Sequence, residues 1–385
     1  RITTPTGTTT SEPFIEIRGD AWVDVREIRL TGASEPLSLT WIDDNRWQAD
    51  IPVNPGLNQI SLQALDFRGN TLSTRNISIT GTSNLAPASA SNLAISEIMY
   101  HPGSPTNSES RTGWTDQDDF EFIELVNLSK TRTLDLTGLR FVNGIDYQFP
   151  SSTLAPGARA LIAGWEPAFI ARYGSEHPVI GSYQNGNNNK LANRGERLVL
   201  MDASGIPIVD LTWSHDNPWP ASADGDGYSL ILMCPELNDP TLPTSWRTSA
   251  SPGGNPGSSD AIKLEEWQAS ENVTDLFSDT DNDGLPALLE YAGGQNPNSP
   301  ETKGLISITL EDSGTRYPVI SFHQRIGADN VSFSAEQSRD LLDWRPGPLY
   351  LGRINNGDGT SSVLFRATQS TPTAQSRYLR IIASE

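Results

Sequence analysis

Cysteine is almost absent from this sequence, and basic residues are scarce. Cys234 is the single cysteine among 385 residues, so an internal disulfide cannot form and a disulfide-stapled scaffold is excluded. No run of about 20 apolar residues occurs, so a transmembrane helix is not expected. Lys and Arg number 27 against 47 Asp and Glu, which gives a net charge of −20. A chain this acidic repels phosphate groups, which argues against nucleic acid or an anionic membrane surface as a partner.

Catalytic motifs are also missing. The four histidines are scattered, and none belongs to an H-E-x-x-H zinc motif: His101, His177, His215 and His323. No G-x-S-x-G nucleophile elbow and no P-loop occurs. Because no spacing singles out a catalytic pair among the acidic residues, we predict that the chain is not an enzyme.

Glycine and proline, by contrast, are frequent, with 32 and 27 residues. Their clusters separate short runs in which apolar and polar residues alternate, as at Ile15 and Ile17 or at Trp47, Ala49 and Ile51. A period of two is typical of half-buried strands. The pattern therefore predicts an all-β fold of small modules joined by turns.

The first module carries a family resemblance. Residues 47–58, followed by Ala64-Leu65-Asp66 and Gly69-Asn70, resemble bacterial immunoglobulin-like repeats. The resemblance implies an immunoglobulin-like β-sandwich, placed at 14–81, of a kind that often serves as a spacer. Polar segments at 1–13 and 82–92 are predicted to be linkers. Because the chain opens in a Thr/Pro/Gly-rich stretch, upstream domains of the same polypeptide are expected.

A more extensive resemblance begins at residue 93. The segments 95–102 and 119–127 look like the opening of the lamin tail domain, and its other marks follow in the family's order: Leu134-Asp135-Leu136-Thr137-Gly138, Leu154-Ala155-Pro156-Gly157, Leu191-Ala192-Asn193-Arg194-Gly195-Glu196, Asp224-Gly225-Asp226-Gly227 and Pro252-Gly253-Gly254. The resemblance implies an immunoglobulin-like β-sandwich at 93–258. The family occurs in nuclear lamins and in exported bacterial proteins, as a binding or scaffolding module without a shared catalytic centre.

Three features depart from that family pattern. A long polar insertion occupies 103–118, a short helix is predicted at 166–173, and an Asn-rich loop spans 184–189. Long loops on a rigid sandwich are where binding usually occurs.

Residues 279–290 fit the calcium-loop pattern D-x-D-x-D-G-x₅-E without a gap. A hard dication takes about six to eight oxygen ligands, and Gly284 allows the sharp turn that brings them together. The predicted Ca²⁺ ligands are the side chains of Asp279, Asp281 and Asp283, the carbonyl of Leu285 and the side chain of Glu290. Short helices are expected on both sides, at 260–269 and 285–292, within a calcium-loop segment spanning 259–302.

Pro286 indicates that this loop is solitary. In paired EF-hands the residue at this position donates a backbone N–H to the partner loop, and proline has none. The loop and its continuation, 288–292, resemble dockerin-like and thrombospondin-type-3-like exported proteins. A solitary extracellular site would bind weakly, with a Kd on the order of 10⁻⁴–10⁻³ M, and its ion would be structural.

Alternation of apolar and polar residues returns in the last part of the chain. It predicts a C-terminal β-domain at 303–385, where 336–344 and 377–381 resemble small C-terminal β-domains of exported bacterial proteins. Placement at a chain end suggests export or cell-surface retention. The predicted fold class is thus all-β, with tandem immunoglobulin-like sandwiches and a helix-loop-helix calcium segment between the second and third.

Two groups of residues leave alternatives open. Trp213 and Trp219, near His215 and Asp216, could form an aromatic platform for a sugar, or they could pack in the core. An acidic cluster could bind a second cation or form a solvated loop; its members are Asp116, Asp118, Asp119 and Glu121.

Three further residues receive plainer interpretations. Asp224 and Asp226 are expected to lie in a turn, and Cys234 is expected to be a small buried apolar residue.

These features predict a non-catalytic structural or adhesive region of an exported bacterial protein, secreted or at the cell surface, with calcium at one joint. A polysaccharide or a cell-surface protein is the expected partner. The alternative is a carbohydrate-binding accessory region of a larger secreted enzyme, kinase-like or hydrolase. A third hypothesis, an unrecognised hydrolase in the lamin-tail-like module, would require turnover by the purified chain.

Overall fold

A computed structural model describes residues 1–33, 36–184, 189–301, 306–312, 316–370 and 378–384. Most of the Asn-rich loop predicted at 184–189, and the first residue of the motif at 377–381, lie outside the described residues. The fold is all-β, as predicted, with immunoglobulin-like sandwiches and a few short helices.

The chain forms two compact units, which are described separately. The first unit contains Arg1–Ser96, Asp119–Leu191 and Glu196–Thr212, and the second contains Glu97–Asp118, Ala192–Gly195 and Trp213–Glu385. The division therefore falls inside the module predicted at 93–258, and the calcium-loop segment and the C-terminal β-domain share one unit.

The first sandwich belongs to the first unit. Its strands are β1 (Thr8–Thr10), β2 (Phe14–Asp20), β3 (Glu27–Leu30), β4 (Thr40–Trp41), β5 (Arg46–Pro52), β6 (Gly56–Leu65) and β7 (Thr71–Gly81). Strands β2, β5 and β4 form one sheet, and β1, β7, β6 and β3 form the other. Alternate apolar residues of both sheets make one buried core, which includes Ile15, Ile17, Trp47, Ala49, Ile51, Ile60, Leu62, Ile77 and Ile79.

Residues 1–13 are part of this sandwich, whereas the sequence suggested a linker. Strand β1 pairs in parallel with β7, with Thr8 opposite Ile79, and the amino terminus of Arg1 donates a hydrogen bond of 2.7 Å to the Asp20 carbonyl. An edge strand such as β7 offers unpaired backbone groups that any extended segment can satisfy. A polar strand of three threonines does so without showing an apolar face, which is why alternation could not indicate it.

The next part of the chain supplies thirteen strands in the described residues: β8 (Ala86–Pro87), β9 (Leu93–Met99), β10 (Phe122–Asn127), β11 (Leu134–Asp135), β12 (Arg140–Asn143), β13 (Tyr147–Gln148), β14 (Thr153–Leu154), β15 (Arg159–Ala163), β16 (Val179–Ser182), β17 (Arg197–Met201), β18 (Pro207–Thr212), β19 (Leu230–Leu232) and β20 (Trp246–Thr248). In the first unit, β13, β12, β17 and β18 form one sheet, β14, β11 and β8 form a second, and β16, β15 and β10 run side by side. In the second unit, Ile98 and Glu97 of β9 pair with β19, which pairs with β20. Strand β8 lies in the segment 82–92, so that predicted linker also contributes to a sheet.

Two helices interrupt these strands. Helix α1 (Asn107–Arg111) lies in the polar insertion, where Thr106 and Glu109 form a reciprocal capping box at its first turn. Helix α2 (Glu166–Tyr173) has the bounds predicted for it.

The calcium-loop segment shares a core with the C-terminal β-domain. Helices α3 (Leu264–Glu271) and α4 (Ala287–Gly293) flank the loop. The remaining strands are β21 (Ile306–Asp312), β22 (Arg316–Arg325), β23 (Ser332–Ser338), β24 (Arg345–Pro346), β25 (Leu349–Asn355), β26 (Thr360–Arg366) and β27 (Tyr378–Ser384). Strands β21, β22, β26 and β25 form one sheet, and β24, β23 and β27 form another. Trp267 and Tyr291 of the helices belong to the same buried cluster as Phe322 of β22, so the two helices are anchored to this domain.

None of the helices in the described part of the chain has the length and apolar character needed to cross a bilayer. Helices α2 and α3 contain only eight residues each.

Candidate metal centre

The loop at 279–290 is shaped by two residues with left-handed backbone conformations. Asn282 has φ 65° and Gly284 has φ 97°, conformations that asparagine and glycine adopt at low cost. The two ends of the loop are tied together where the amide of Leu288 donates to the carbonyl of Leu276, at 2.9 Å. The chain therefore turns sharply between two anchored points.

This turn brings the three predicted aspartates together. One carboxylate oxygen from each of Asp279, Asp281 and Asp283 lies within 4.8 Å of the others. Backbone amides hold the carboxylates in place: Gly284 donates to Asp279 Oδ2 at 3.0 Å, and Leu285 donates to Asp283 Oδ1 at 2.9 Å. Of these carboxylates, Asp281 keeps a buried oxygen, Oδ2, without a hydrogen-bond partner among the described residues.

Glu290 is the most unusual residue of the loop. It lies in the first turn of α4 and is fully buried, and neither carboxylate oxygen has a hydrogen-bond partner among the described residues. Burial, followed by the charges of Asp281, Asp283 and Asp279, raises the pKa of Glu290 to about 7. A buried carboxylate without a partner is strongly unfavourable, and a cation beside it would stabilise its charged form.

The other two loop residues fit the pattern in part. Leu285 lies in the turn, where its amide is bonded to Asp283; the role of its carbonyl as a ligand stays a prediction. Pro286 is the N-cap of α4, in extended conformation, which places Glu290 one turn further along the helix. Four carboxylates with two orphaned oxygens on Glu290 match the hard oxygen ligands that Ca²⁺ prefers.

The segment that resembles the lamin tail domain has a different kind of core. Strand β10 is buried along its whole length, and two buried glutamates, Glu124 on the strand and Glu121 just before it, are bonded inside the first unit. Glu121 accepts hydrogen bonds from the Tyr183 hydroxyl at 2.8 Å and the Leu191 amide at 2.9 Å, while Glu124 accepts one from Ser96 at 2.7 Å and pairs with Arg159. Buried, hydrogen-bonded carboxylates at these positions hold neighbouring segments together.

Residues 86–215 match the family model of the Lamin Tail Domain. The match covers about a third of the chain and begins at β8, inside the segment predicted as a linker. The resemblances of the calcium-loop segment and of the C-terminal β-domain stay predictions.

Comparisons with whole proteins add little. None of the curated proteins matches the chain significantly. Among solved structures, SGBP-B of the Bacteroides ovatus mixed-linkage glucan utilization locus, in complex with a mixed-linkage heptasaccharide, is similar at 9% identity and a TM-score of 0.14. The similarity covers 43% of this chain and 47% of that chain, so the chain spans less than half of the length of that relative.

The tryptophans near the end of the lamin tail match are core residues. Trp213 is 1% exposed and Trp219 is 6% exposed. A sugar platform needs accessible ring faces, so the platform interpretation is wrong in this structure and the core interpretation is confirmed.

The acidic cluster at 116–121 is not a uniformly solvated loop. Asp118 is 6% exposed, and its amide donates to the Asp116 carboxylate at 3.1 Å in the second unit. Glu121, in the first unit, is the buried carboxylate just before β10 described above. Within each unit these acids make local hydrogen bonds. Their contacts among the described residues do not support a second cation site.

One cluster could not be found from the sequence. In the second unit, Nδ1 of His101 lies 2.5 Å from Oδ1 of Asp224, and Nδ1 of His215 lies 3.4 Å from Oδ2 of the same carboxylate. His101 and Asp224 are 123 residues apart in the sequence, and no motif links them. Among the described residues no hydroxyl or thiol group is hydrogen-bonded to either imidazole, so the cluster lacks the nucleophile–base pair of covalent catalysis.

Proposed function

We propose that this chain is a non-catalytic structural or adhesive array of β-sandwich modules from an exported bacterial protein, stabilised by Ca²⁺ bound at 279–290. The observation that supports calcium most strongly is Glu290, a fully buried carboxylate whose two oxygens lack hydrogen-bond partners among the described residues. A dication beside it would neutralise the loop's carboxylates and supply the missing contacts. The secreted or cell-surface location and the adhesive role rest on the module types.

The position of the loop explains why an ion there would stabilise the fold. Glu290 lies on α4, and Leu288 and Tyr291 of the same helix are buried in the core shared with the C-terminal β-domain. A metal that fixes the first turn of α4 therefore fixes the helix that anchors the segment to β22. Calcium would act as a clamp on this part of the second unit.

Calcium is expected to raise the melting temperature of the second unit. With a Kd on the order of 10⁻⁴–10⁻³ M, 10 mM Ca²⁺ would stabilise the folded form by about 1.4–2.7 kcal/mol, since it binds the folded loop only. Scanning calorimetry with and without EDTA measures the shift. Asp281→Ala should abolish it, whereas Asp343→Asn, an exposed acid of the same unit, should leave it intact. A shift that persists in Asp281→Ala would place the ion elsewhere.

Glu290→Gln is expected to have opposite effects in the two conditions. In EDTA the substitution removes a buried charge that is repelled by three aspartates, so the melting temperature should rise by a few degrees. In 10 mM Ca²⁺ the variant loses the bidentate ligand, and its melting temperature should fall below that of the unsubstituted protein. If the substitution changes the melting temperature in the same direction in EDTA and in Ca²⁺, Glu290 does not face the ion.

The carbohydrate-binding alternative is favoured by one observation, a polar cleft beside the loop. Neither of the tryptophans suggested by the sequence, Trp213 and Trp219, lines this cleft.

A further inference from the structure

A cleft of about 510 Å³ lies next to the calcium loop, within the second unit. Helix α3 forms one wall with Trp267, Ser270 and Glu271, and the segment after α4 forms another. Arg325, at the end of β22, completes the lining. The volume lies within the range of about 300–1,000 Å³ that is usual for ligand pockets.

Arg325 is held in place without a protein partner for its charge. Its stem packs on the end of α4, where a Cβ on Gly294 would come within 3.1 Å of Arg325 Cδ. In the described part of the chain, neither the guanidinium of Arg325 nor the carboxylate of Glu271 makes a hydrogen bond or ion pair, although both are only half-exposed. A positioned donor and a positioned acceptor therefore face the same cleft.

The rest of the lining narrows the chemistry of the ligand. Three carboxylates border the cleft, on Glu266, Glu271 and Glu301. Among the described residues, only Glu266 of these three has a basic partner, Lys263 at 2.6 Å. This excess of negative charge disfavours phosphorylated, sulfated or uronic-acid ligands. Carboxylates accept hydrogen bonds from hydroxyl groups, and guanidinium and amide groups donate to hydroxyl and ring oxygens. A neutral saccharide offers both partners at high density.

A second cleft in the same unit shows the contrast. It measures about 420 Å³ and is lined by residues of 337–346 together with Ala367, Gln369 and Leu379. There some of the polar groups are bonded to each other: Asp340 accepts from the Leu342 and Asp343 amides, and Arg339 donates to Gln369. Arg345 and Asp343 of this lining are exposed to solvent, so this cleft offers a ligand fewer charged groups that are held in place by packing.

The first cleft is also connected to the calcium loop. The Glu301 amide donates to Asp283 Oδ2 at 3.1 Å, and the Glu301 carboxylate accepts from the Asn296 amide at 3.2 Å. Asn296 and Glu301 both line the cleft, so one rim is tied directly to a predicted calcium ligand. An ion that immobilises Asp283 would immobilise this rim.

We propose that this cleft binds a neutral saccharide, with Arg325 and Glu271 contacting the sugar and calcium ordering the rim. The calcium dependence rests on the function proposed above. The choice of a neutral saccharide as the ligand rests on the residues that line the cleft.

Affinity electrophoresis of the whole chain tests the proposal, in gels containing a soluble β-glucan, a galactomannan, an α-glucan or polygalacturonate. At least one neutral polysaccharide should retard the protein in Ca²⁺, and polygalacturonate should not. Arg325→Met keeps the stem and removes the charge, and Glu271→Gln removes the acceptor; each should weaken retardation about tenfold or more. Arg345→Met, in the second cleft, is the matched control and should bind normally.

The same gels run in EDTA, and with Asp281→Ala, test the link to calcium. Loss of retardation in both would support the proposal. If retardation persists in EDTA but is lost in Arg325→Met, the saccharide site does not depend on calcium, and the ordering role of calcium is overturned. Retardation unaffected by Arg325→Met and Glu271→Gln, or absent with every neutral polysaccharide, would overturn the saccharide site. Calorimetry separates the two proposals. If Ca²⁺ raises the melting temperature but no polysaccharide binds, the calcium site is supported and the saccharide site is contradicted.

Discussion

Replacing Arg247 by methionine is expected to lower the free energy of unfolding of the second unit by about 3–5 kcal/mol. Arg247 lies on β20 and is 1% exposed. Its guanidinium makes two hydrogen bonds to Asp329, at 2.6 and 2.8 Å, and two to Asp260, at 2.5 and 3.2 Å. Removing it leaves two carboxylates enclosed by protein without their counter-charge, which costs far more than the loss of an exposed pair.

The three residues join parts of the second unit that are distant in sequence. Asp260 opens the calcium-loop segment, and Asp329 lies between β22 and β23 of the C-terminal β-domain. The arginine thus ties β20 to both segments that follow it. Scanning calorimetry should show a lower melting temperature for the unfolding transition of the second unit, with the transition of the first unit unchanged. Arg197→Met, which breaks the exposed pair of Arg197 with Asp210, serves as control and should cost about 0–1 kcal/mol.

The pH dependence gives this prediction a second readout. Burial alone would raise the pKa of Asp260, but the charge and hydrogen bonds of Arg247 outweigh burial and lower that pKa below its usual value of about 4. The lowered pKa contributes stability above pH 4 that is lost as the pH falls through it. In Arg247→Met the guanidinium is gone and only backbone hydrogen bonds, such as that from the Ala250 amide, still oppose burial, so the pKa of Asp260 should be higher than in the unsubstituted protein. The stability difference between the two proteins should therefore narrow below pH 4. A difference that stays constant from pH 3 to 7 would show that the ion pair is not what the substitution removes.

The parts of this fold that the sequence predicted are those encoded locally. Alternation of apolar and polar residues marked β2, β5 and β6, because a half-buried strand needs an apolar residue at every second position. The three aspartates of the calcium loop are separated by single residues, so the turn at Gly284 is enough to bring them together. Helix α2 likewise lies within one short segment.

The parts that could not be predicted depend on long-range pairing. His101 and Asp224 are 123 residues apart, and Arg247 and Asp329 are 82 apart, and nothing in the local pattern of either pair indicates the other. Glu124, on β10, has the sequence context of a solvent-facing strand position, yet it is fully buried. It is buried because β10 is covered on both faces, a property of the tertiary packing that alternation cannot show.

The cleft beside the calcium loop illustrates the same limit in a functional site. Its walls come from α3, from the segment after α4 and from the end of β22, so no contiguous motif marks it. In the sequence, the neighbouring tryptophans Trp213 and Trp219 suggested a sugar site, since aromatic residues are the recognisable sign of such sites. Packing, which decides whether an aromatic ring is accessible, placed those rings in the core.

Trp213→Ala is expected to destabilise the second unit by about 3–5 kcal/mol, the cost of removing a large buried aromatic side chain. Trp213 is 1% exposed, and its ring packs against that of Tyr100 with centroids 5.8 Å apart. Trp22→Ala is the matched control: Trp22 is 81% exposed, and its loss should change stability by no more than about 0.5 kcal/mol. Calorimetry measures both. At a temperature where Trp213→Ala remains folded, it should still bind the neutral polysaccharide that requires Arg325. A variant of normal stability that has lost sugar binding would instead identify Trp213 as a contact residue and would contradict its assignment to the core.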